Sequence, residues 1–408
     1  MSVFVVVGLC VGIVCALGAR GIARLGLAAP LVMVGAGIVV SSLMHEDLTD
    51  LLNASETEHV VELILALLLF VDATEVRNGL FGGERSVSTR LLAVALPLSM
   101  LGAVILGALL LPFTAAATLV IIACVVVPTD LAPASSLLHD RRLPLRVRNI
   151  LNVESGYNDG VVAPIFVVAL ALLGDDHSGG NTVTAIVHGL QSSLVAGVVG
   201  IAVGFGGGAA TRVLTDRALT TPRGIRMGVA LLALLSYSAA GALSANGFIA
   251  AFVCGIAYHA RRNVNGADDN KSELELAEDL AGLSSMAMWF LFGATVSYLF
   301  GIGLPGWYVF VFVAAALTVI RITPIRLALI GSDLSTRERR AIALLGPRGT
   351  ASIVFGLLAW RGISDLEDAS LVLYVMAATV LGSIAFHGFA VNRIGTGYAR
   401  VPASSSDE

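Results

Sequence analysis

The segment Asn152-Val153-Glu154-Ser155-Gly156-Tyr157-Asn158-Asp159-Gly160 holds the densest polar chemistry of the chain and is flanked by apolar sequence. On a helix, residues four apart share a face. Ser155 and Asp159 then bring a hydroxyl and a carboxylate to one point, an oxygen set that suits a hard cation such as Na+. Glu154 and Asn158 form a second pair, turned by about 100° onto the neighbouring face. This pair predicts a brace against a partner helix, with Arg321 as its counter-charge. A second signal is Val127-Pro128-Thr129-Asp130-Leu131-Ala132-Pro133, whose prolines remove backbone donors and predict an interruption around Thr129. Gly346-Pro347-Arg348-Gly349-Thr350 predicts another. One break carries Asp130 and the other Arg348, and such breaks expose carbonyls and helix ends to an ion.

The elements that hold these residues are membrane helices. Of the 408 residues 56% are hydrophobic and 13% charged, and the mean hydropathy is +0.87. A soluble domain carries roughly a quarter charged residues. Apolar windows near 3–19, 26–43, 57–73, 90–112, 115–138, 147–174, 182–211, 225–243, 245–260, 277–302, 306–330, 338–360 and 368–392 predict about thirteen spans. The first has no basic residue before it and reads as a retained span rather than a cleaved signal. The basic residues test the count. With the N-terminus outside and the C-terminus inside, all 25 fall in inside loops except Arg321, Arg348 and Arg361. The opposite loops, with Glu46, Asp47, Glu58, Asp175 and Asp176, are acidic.

Charges at bilayer depth cost about 2.5–3.5 kcal/mol each on insertion scales, so a chain that keeps them has a use for them. Asp72, Asp130, Glu154, Asp159, Arg321 and Arg348 lie in or beside spans, whereas Glu62, Glu75, Glu278 and Asp279 sit near helix ends and read as solvated. Four acids against two arginines leave a deficit that one or two cations or protons would neutralise. The two breaks fall in the fifth span of the first six and the fifth of the last six. The seventh span links the halves, the arrangement of inverted repeats around a midplane ion site.

At these residues the sequence resembles the cation:proton antiporter-1 family, the NhaP-type sodium/proton exchangers. The matching pieces are Pro128-Thr129-Asp130, Glu154 to Gly160, Phe290-Leu291-Phe292-Gly293, Arg321, Gly346 to Gly349, and Leu69-Phe70-Val71-Asp72. The likeness runs from the first span to the last. It implies an all-α polytopic membrane protein of two inverted six-helix repeats with crossed, discontinuous helices. Repeat one is about 1–175, the linking helix about 182–211 and repeat two about 225–395, which makes 1–395 the antiporter domain and 396–408 a short cytoplasmic tail. A core domain would move against a dimer domain, in a homodimer. The resemblance implies Na+ or Li+ exchange for protons, with Asp159 as carrier. Asp130, Ser155, Thr129 through its backbone and Asp72 would complete the cation site, while Asn158, Glu154 and Arg321 would stabilise the crossing. The Asn158-Asp159 pair, where electrogenic relatives have two acids, implies electroneutral exchange; a role in pH homeostasis and a place in a prokaryotic inner membrane are further expectations. Departures are Leu131 in place of a proline, Asp72 in place of a glutamate, and no long regulatory tail, so regulation by calcium or calmodulin-like partners is not expected.

Other classes fit less well. His45-Glu46 lacks the second His of a zinc protease, with Thr49 in its place, and Ser155 has no paired catalytic His, so an enzyme is not expected. A channel would have a continuous polar pore rather than one compact charged cluster. K+/H+ exchange by the same fold keeps every ligand and stays open. The net charge of −4 suggests no nucleic-acid surface, and no cofactor motif is present. The four cysteines read as packing residues, and Gly200, Gly204 and Gly208 predict close helix packing or a dimer interface. Asn53-Ala54-Ser55 is a bare glycosylation pattern. The seven histidines are scattered, with no ligand partner expected at helical spacing, and His139 is a weak pH-sensor candidate.

Overall fold

The structure, a computed structural model, describes residues 3–24, 28–44, 55–76, 81–111, 114–131, 143–174, 182–262 and 271–399. The expectations placed on His45, Glu46, Asp47, Thr49, Asn53, Arg77, Ala132, Pro133, His139, Arg141, Arg142, Asp175, Asp176 and the tail from Arg400 fall outside these residues.

Each of the thirteen expected windows contains helix among the described residues. The first span is α1 (Val3–Leu17) and α2 (Ala19–Arg24), followed by α3 (Ala29–Met44) and α4 (Ser55–Thr74). The fourth joins α5 (Arg85–Arg90), a π-helical turn (Leu91–Ala95) and α6 (Leu96–Leu110). Then come α7 (Ala116–Val126), α8 (Leu145–Gly174), α9 (Thr182–Asp216), α10 (Pro222–Ala242), α11 (Gly247–Arg262) and α12 (Lys271–Ile302). The eleventh span splits into α13 (Trp307–Leu317) and α14 (Val319–Ala328), and the twelfth into α15 (Thr336–Leu344) and α16 (Thr350–Gly362). The last, α17 (Leu366–Ala399), runs past the boundary expected at 395, and no proline interrupts it. Seven of these helical stretches are long and apolar enough to cross a bilayer, while α7, the first half of a broken span, is shorter. Leu109, Leu194, Val198, Phe300 and Trp307 are exposed, an apolar exterior that suits lipid.

Packing divides the helices into two bodies. α5–α8 and α13–α17 form a bundle around the two breaks, and α1–α4 with α9–α12 form a scaffold beside it. Small residues set the scaffold's closest approaches. Gly37 of α3 and Gly293 of α12 face each other's backbone, so any side chain there would clash, which gives the Phe290–Gly293 motif a packing role. Gly200, Gly204 and Gly208 of α9 pack against Ala250, Cys254 and Arg261 of α11. That row is therefore used within the chain rather than offered to a second copy. Cys15, Cys124 and Cys254 are buried and free, and Cys10 is exposed.

In the bundle, α8 and the loop before α15 are tied by ion pairs. Arg146 grips Glu84 at 2.7 and 2.9 Å and Asp333 at 2.7 Å. The guanidinium beside Asp333 holds that exposed carboxyl below the usual range. A capping box, Ser335 with Glu338, starts α15.

Candidate functional site

The two breaks cross and touch. After Val126 the chain leaves the helix and passes through Pro128, Thr129 and Asp130; after Leu344 it does so through Gly346, Pro347 and Arg348. The Asp130 N–H donates to the Pro347 carbonyl at 2.8 Å, backbone to backbone. Each break leaves helix ends without internal partners, negative at the carbonyl end and positive at the amide end. Side chains of complementary charge meet them. Arg348 Nε donates to the Val126 carbonyl at 2.6 Å, at the carbonyl end of α7, and its Nη1 to the Gly346 carbonyl at 2.6 Å. Arg321 Nη2 donates to the Ile342 and Leu345 carbonyls at 3.2 and 2.8 Å, at the carbonyl end of α15. Asp130 Oδ2 accepts from the Thr350 N–H at 2.7 Å, at the amide end of α16. Ser155 Oγ accepts from the Leu131 N–H at 3.1 Å.

Glu154 and Asn158 leave α8 toward different partners. Glu154 takes Arg321 Nη1 and Nη2 at 2.9 and 3.3 Å, a buried ion pair. Asn158 Nδ2 donates to both the Thr129 carbonyl and hydroxyl, at 2.9 and 2.8 Å. Arg321 is aimed by a local irregularity, because α13 and α14 part at Thr318, three residues before it. Gly346 lies flat against its guanidinium, where no larger residue fits. A small cavity of about 20 Å3, room for about one water, lies between the π-helical turn and Glu154, Asn158, Arg321 and Arg348. A π turn beside such a cluster is a common feature of functional helices.

Asp159 stands apart from this network. It is 2% exposed, and among the described residues nothing hydrogen-bonds its Oδ1. It faces the like charge of Asp130 and the opposite charge of Arg348. Asp72, half-buried on α4, faces both Asp130 and Asp159. The approach of α8 to α4 depends on Gly156, where an added Cβ would lie 2.7 Å from the Asp72 carbonyl oxygen. Ser155, Asp159, Asp130 and Thr129 thus lie on the bundle and Asp72 on the scaffold, around one crossing.

Ser383 and His387 of α17 were not among the residues expected at the site. They bind the second break directly: the Gly346 N–H donates to His387 Nε2 at 3.0 Å, and the Arg348 N–H to Ser383 Oγ at 2.8 Å. Ser383 and His387 are four residues apart on α17 and in contact. The i, i+4 polar pair inside an apolar span was the available signal.

A sequence profile described as "Sodium/hydrogen exchanger, transmembrane" matches residues 8–396. A K(+)/H(+) antiporter NhaP2 from Shewanella sp. (strain MR-4) is 26% identical over 274 residues, 66% of this chain and 45% of the relative, and its counterpart from strain MR-7 matches equally. The chain thus spans about half the length of these curated relatives. Among solved structures, the sodium proton antiporter MjNhaP1 from Methanocaldococcus jannaschii at pH 8 is similar with TM-score 0.74 and 17% identity, covering 95% of this chain and 99% of that one. An electron-microscopy structure of the same protein gives 0.73, 18%, 99% and 100%. The structural likeness carries the fold of crossed helix breaks, and the profile spans nearly the whole chain: this integral membrane protein belongs to the sodium/hydrogen exchanger family.

Proposed function

We propose that the protein exchanges Na+, or Li+, for H+ across a membrane, one for one, by competition of cation and proton at Asp159. The observation that carries this reading is a carboxylate that is 2% exposed, with an oxygen that has no hydrogen-bond partner among the described residues. Burying an unpaired carboxylate charge is costly, and a bound proton or a bound cation each removes that cost. Only one can occupy the same oxygens at a time. Asp130, Ser155, the Thr129 carbonyl and Asp72 are the further oxygens around it, with Asp72 entering from the scaffold. Asn158, Glu154, Arg321 and Arg348 hold the crossing. The cation-free, deprotonated site would carry an uncompensated charge through an apolar barrier, so it moves reluctantly, and this couples the two fluxes. One lone carrier acid, with Asn158 rather than an acid before it, favours an electroneutral cycle.

Family membership and the ion-only chemistry of the site support a transporter rather than an enzyme, with no cofactor besides the transported ions. Arginine placement supports an outside N-terminus and an inside C-terminus in a prokaryotic cell membrane, and the exposed apolar scaffold face is where a homodimer would form. The K(+)/H(+) assignment of the Shewanella relatives favours one second reading, K+ exchange at the same oxygens.

Purified protein in vesicles with an internal pH dye and an imposed proton gradient tests this. Na+, Li+ and K+ are added in turn, with and without a valinomycin-clamped potential. Wild type is expected to release protons on cation addition, unaffected by the clamp, and Asp159→Asn to release none. Half-maximal concentrations rank the ions. Full activity in Asp159→Asn, or no response to any cation, would overturn the reading.

A further inference from the structure

We propose that Ser383 and the neutral, Nδ1-protonated form of His387 are positioning residues for the exchange: they fix the second helix break so that Arg348 is held between the carbonyl end of α7 and Asp159. The inference rests on the antiport reading for its consequence, but not for its geometry.

The argument starts from the backbone donors of the break. Between α15 and α16 the N–H groups of Gly346 and Arg348 have no helical carbonyl to bind, and Pro347 has no N–H. Both donors are buried with their residues in apolar surroundings, where an unmade hydrogen bond costs about 1–3 kcal/mol. α17 supplies both acceptors from one face. Ser383 Oγ accepts from Arg348 and His387 Nε2 from Gly346. Both side chains are buried, Ser383 fully and His387 at 4% exposure.

The bonds also settle the imidazole's state. A backbone N–H can only donate, so Nε2 must present its lone pair to Gly346, and the ring hydrogen sits on Nδ1. Nδ1 lies 2.8 Å from the Ser383 carbonyl oxygen, four residues back, an acceptor that fits. A ring carrying both hydrogens would set an N–H against the Gly346 N–H. It would also add a positive charge beside Arg348 and Arg321, the charged groups that face it. The break therefore needs an acceptor at Nε2 and a donor at Nδ1, which the neutral ring provides.

What this positions is Arg348. Its backbone is pinned by Ser383, and its guanidinium spans from the Gly346 carbonyl to the Val126 carbonyl, so the two breaks are joined through it. It is also the positive charge that faces Asp159. A slack break would let that charge wander relative to the carrier carboxylate.

Two variants separate a hydrogen-bonding role from simple filling of space. In His387→Gln the amide oxygen can accept from Gly346 and the amide NH2 can donate to the Ser383 carbonyl; in His387→Ala neither is possible. Each purified variant, first checked for native elution and melting, is read in two ways. Hydrogen exchange of the 345–350 segment is independent of transport. Protection is expected to be kept in His387→Gln and reduced about tenfold in His387→Ala, the loss of one net hydrogen bond. In vesicles, His387→Gln is expected to keep maximal exchange within about twofold, and His387→Ala to lose about tenfold in maximal rate, with half-saturating cation changed much less, because the oxygens around Asp159 remain. Native-like protection in His387→Ala, or equal damage in both variants, would overturn the proposal. If the unmodified protein moves no protons, the antiport reading fails while the exchange data still decide the positioning.

Discussion

At the scale of single residues, the crossing pairs three of its charged side chains with fixed partial charges of the backbone. Arg348 and Arg321 meet helix carbonyl ends and Asp130 meets an amide end. Each such match contributes about 0.3–2 kcal/mol, enough to make the sign of every side chain matter. Asn158 shows why a neutral amide is required beside Asp159. Its NH2 group serves two oxygens of Thr129 at once. In Asn158→Asp the donors vanish and two carboxylate oxygens face a carbonyl oxygen, so the variant is expected to lose about 1–3 kcal/mol of stability, the cost of a buried acceptor left unmatched. Thermal unfolding in detergent would register this as a lower melting temperature, and an unchanged melt would remove the structural duty assigned to Asn158. The spacing of Glu154, Ser155, Asn158 and Asp159 was readable because the helical period places side chains four apart on one face. Their partners were less readable. That Asn158 reaches Thr129 depends on how the continuous helix α8 packs over an interrupted segment 29 residues earlier in the chain, and no local pattern encodes that. Ser383 and His387 went unread for a related reason: their partners are backbone N–H groups of a distant break, which carry no residue-type signature.

At the scale of elements, the prolines and glycines decide where helices stop and how near they come. Pro128 and Pro347 announced the breaks in the sequence, and apolar windows with alternating arginine loops announced the spans, because hydropathy and backbone donors are local properties. The split of the eleventh span at Thr318 and the π turn at Leu91–Ala95 were not announced. Both are small departures inside uniformly apolar runs, fixed by tertiary contacts such as the Ser99 hydroxyl donating to the Ile320 carbonyl at 3.0 Å. The arginine row of the loops has an inner use as well: the pair of Arg146 with Asp333 forms whenever the carboxyl is charged. Since that carboxyl is held below its usual range, the pair is complete above the ordinary carboxylate pKa and is lost only as pH falls through the lowered value. It stays closed near neutrality and supplies no pH response there. Gly156 is the element-scale test. A methyl there meets the Asp72 carbonyl oxygen at 2.7 Å, so Gly156→Ala is expected to push α8 from α4 at a cost of about 1–3 kcal/mol. Separating Asp72 from Asp159 should raise the half-saturating cation concentration, and Gly156→Val should raise it further. Equal half-saturation in all three proteins, measured by dye release in vesicles, would mean that the spacing of α4 and α8 does not shape the site.

At the scale of the whole molecule, the site straddles a boundary between two bodies that are each better packed than their contact with one another. Asp72 belongs to the scaffold, while Asp130, Ser155 and Asp159 belong to the bundle, so relative motion of the bodies would open and close the oxygen set. Among the described residues, specific polar contacts cross the boundary. Ser285 meets Thr350 at 2.8 Å, Asn152 Nδ2 donates to the Glu75 carbonyl at 3.0 Å, and the Tyr374 hydroxyl donates to the Gly303 carbonyl at 3.1 Å. At the rim where α4 begins and α16 ends, Arg361 pairs with Glu58 at 2.9 Å. Half-exposed, this pair is worth at most about 1 kcal/mol, so it marks the boundary without locking it, as a moving interface requires. If exchange proceeds by the bundle shifting against the scaffold, a covalent link at this point must stop it. In a background with the four native cysteines replaced, Glu58→Cys with Arg361→Cys is expected to exchange cations for protons normally until a short bifunctional thiol reagent is added. Exchange should then fall to the level of empty vesicles and recover on cleavage of the linker. Either single variant treated alike should keep its activity, since a modified thiol on one side leaves the bodies free. A linked protein that still turns over would show that the ion crosses a static pathway, and the coupling by reluctant movement of the empty charged site would have no moving part to act on.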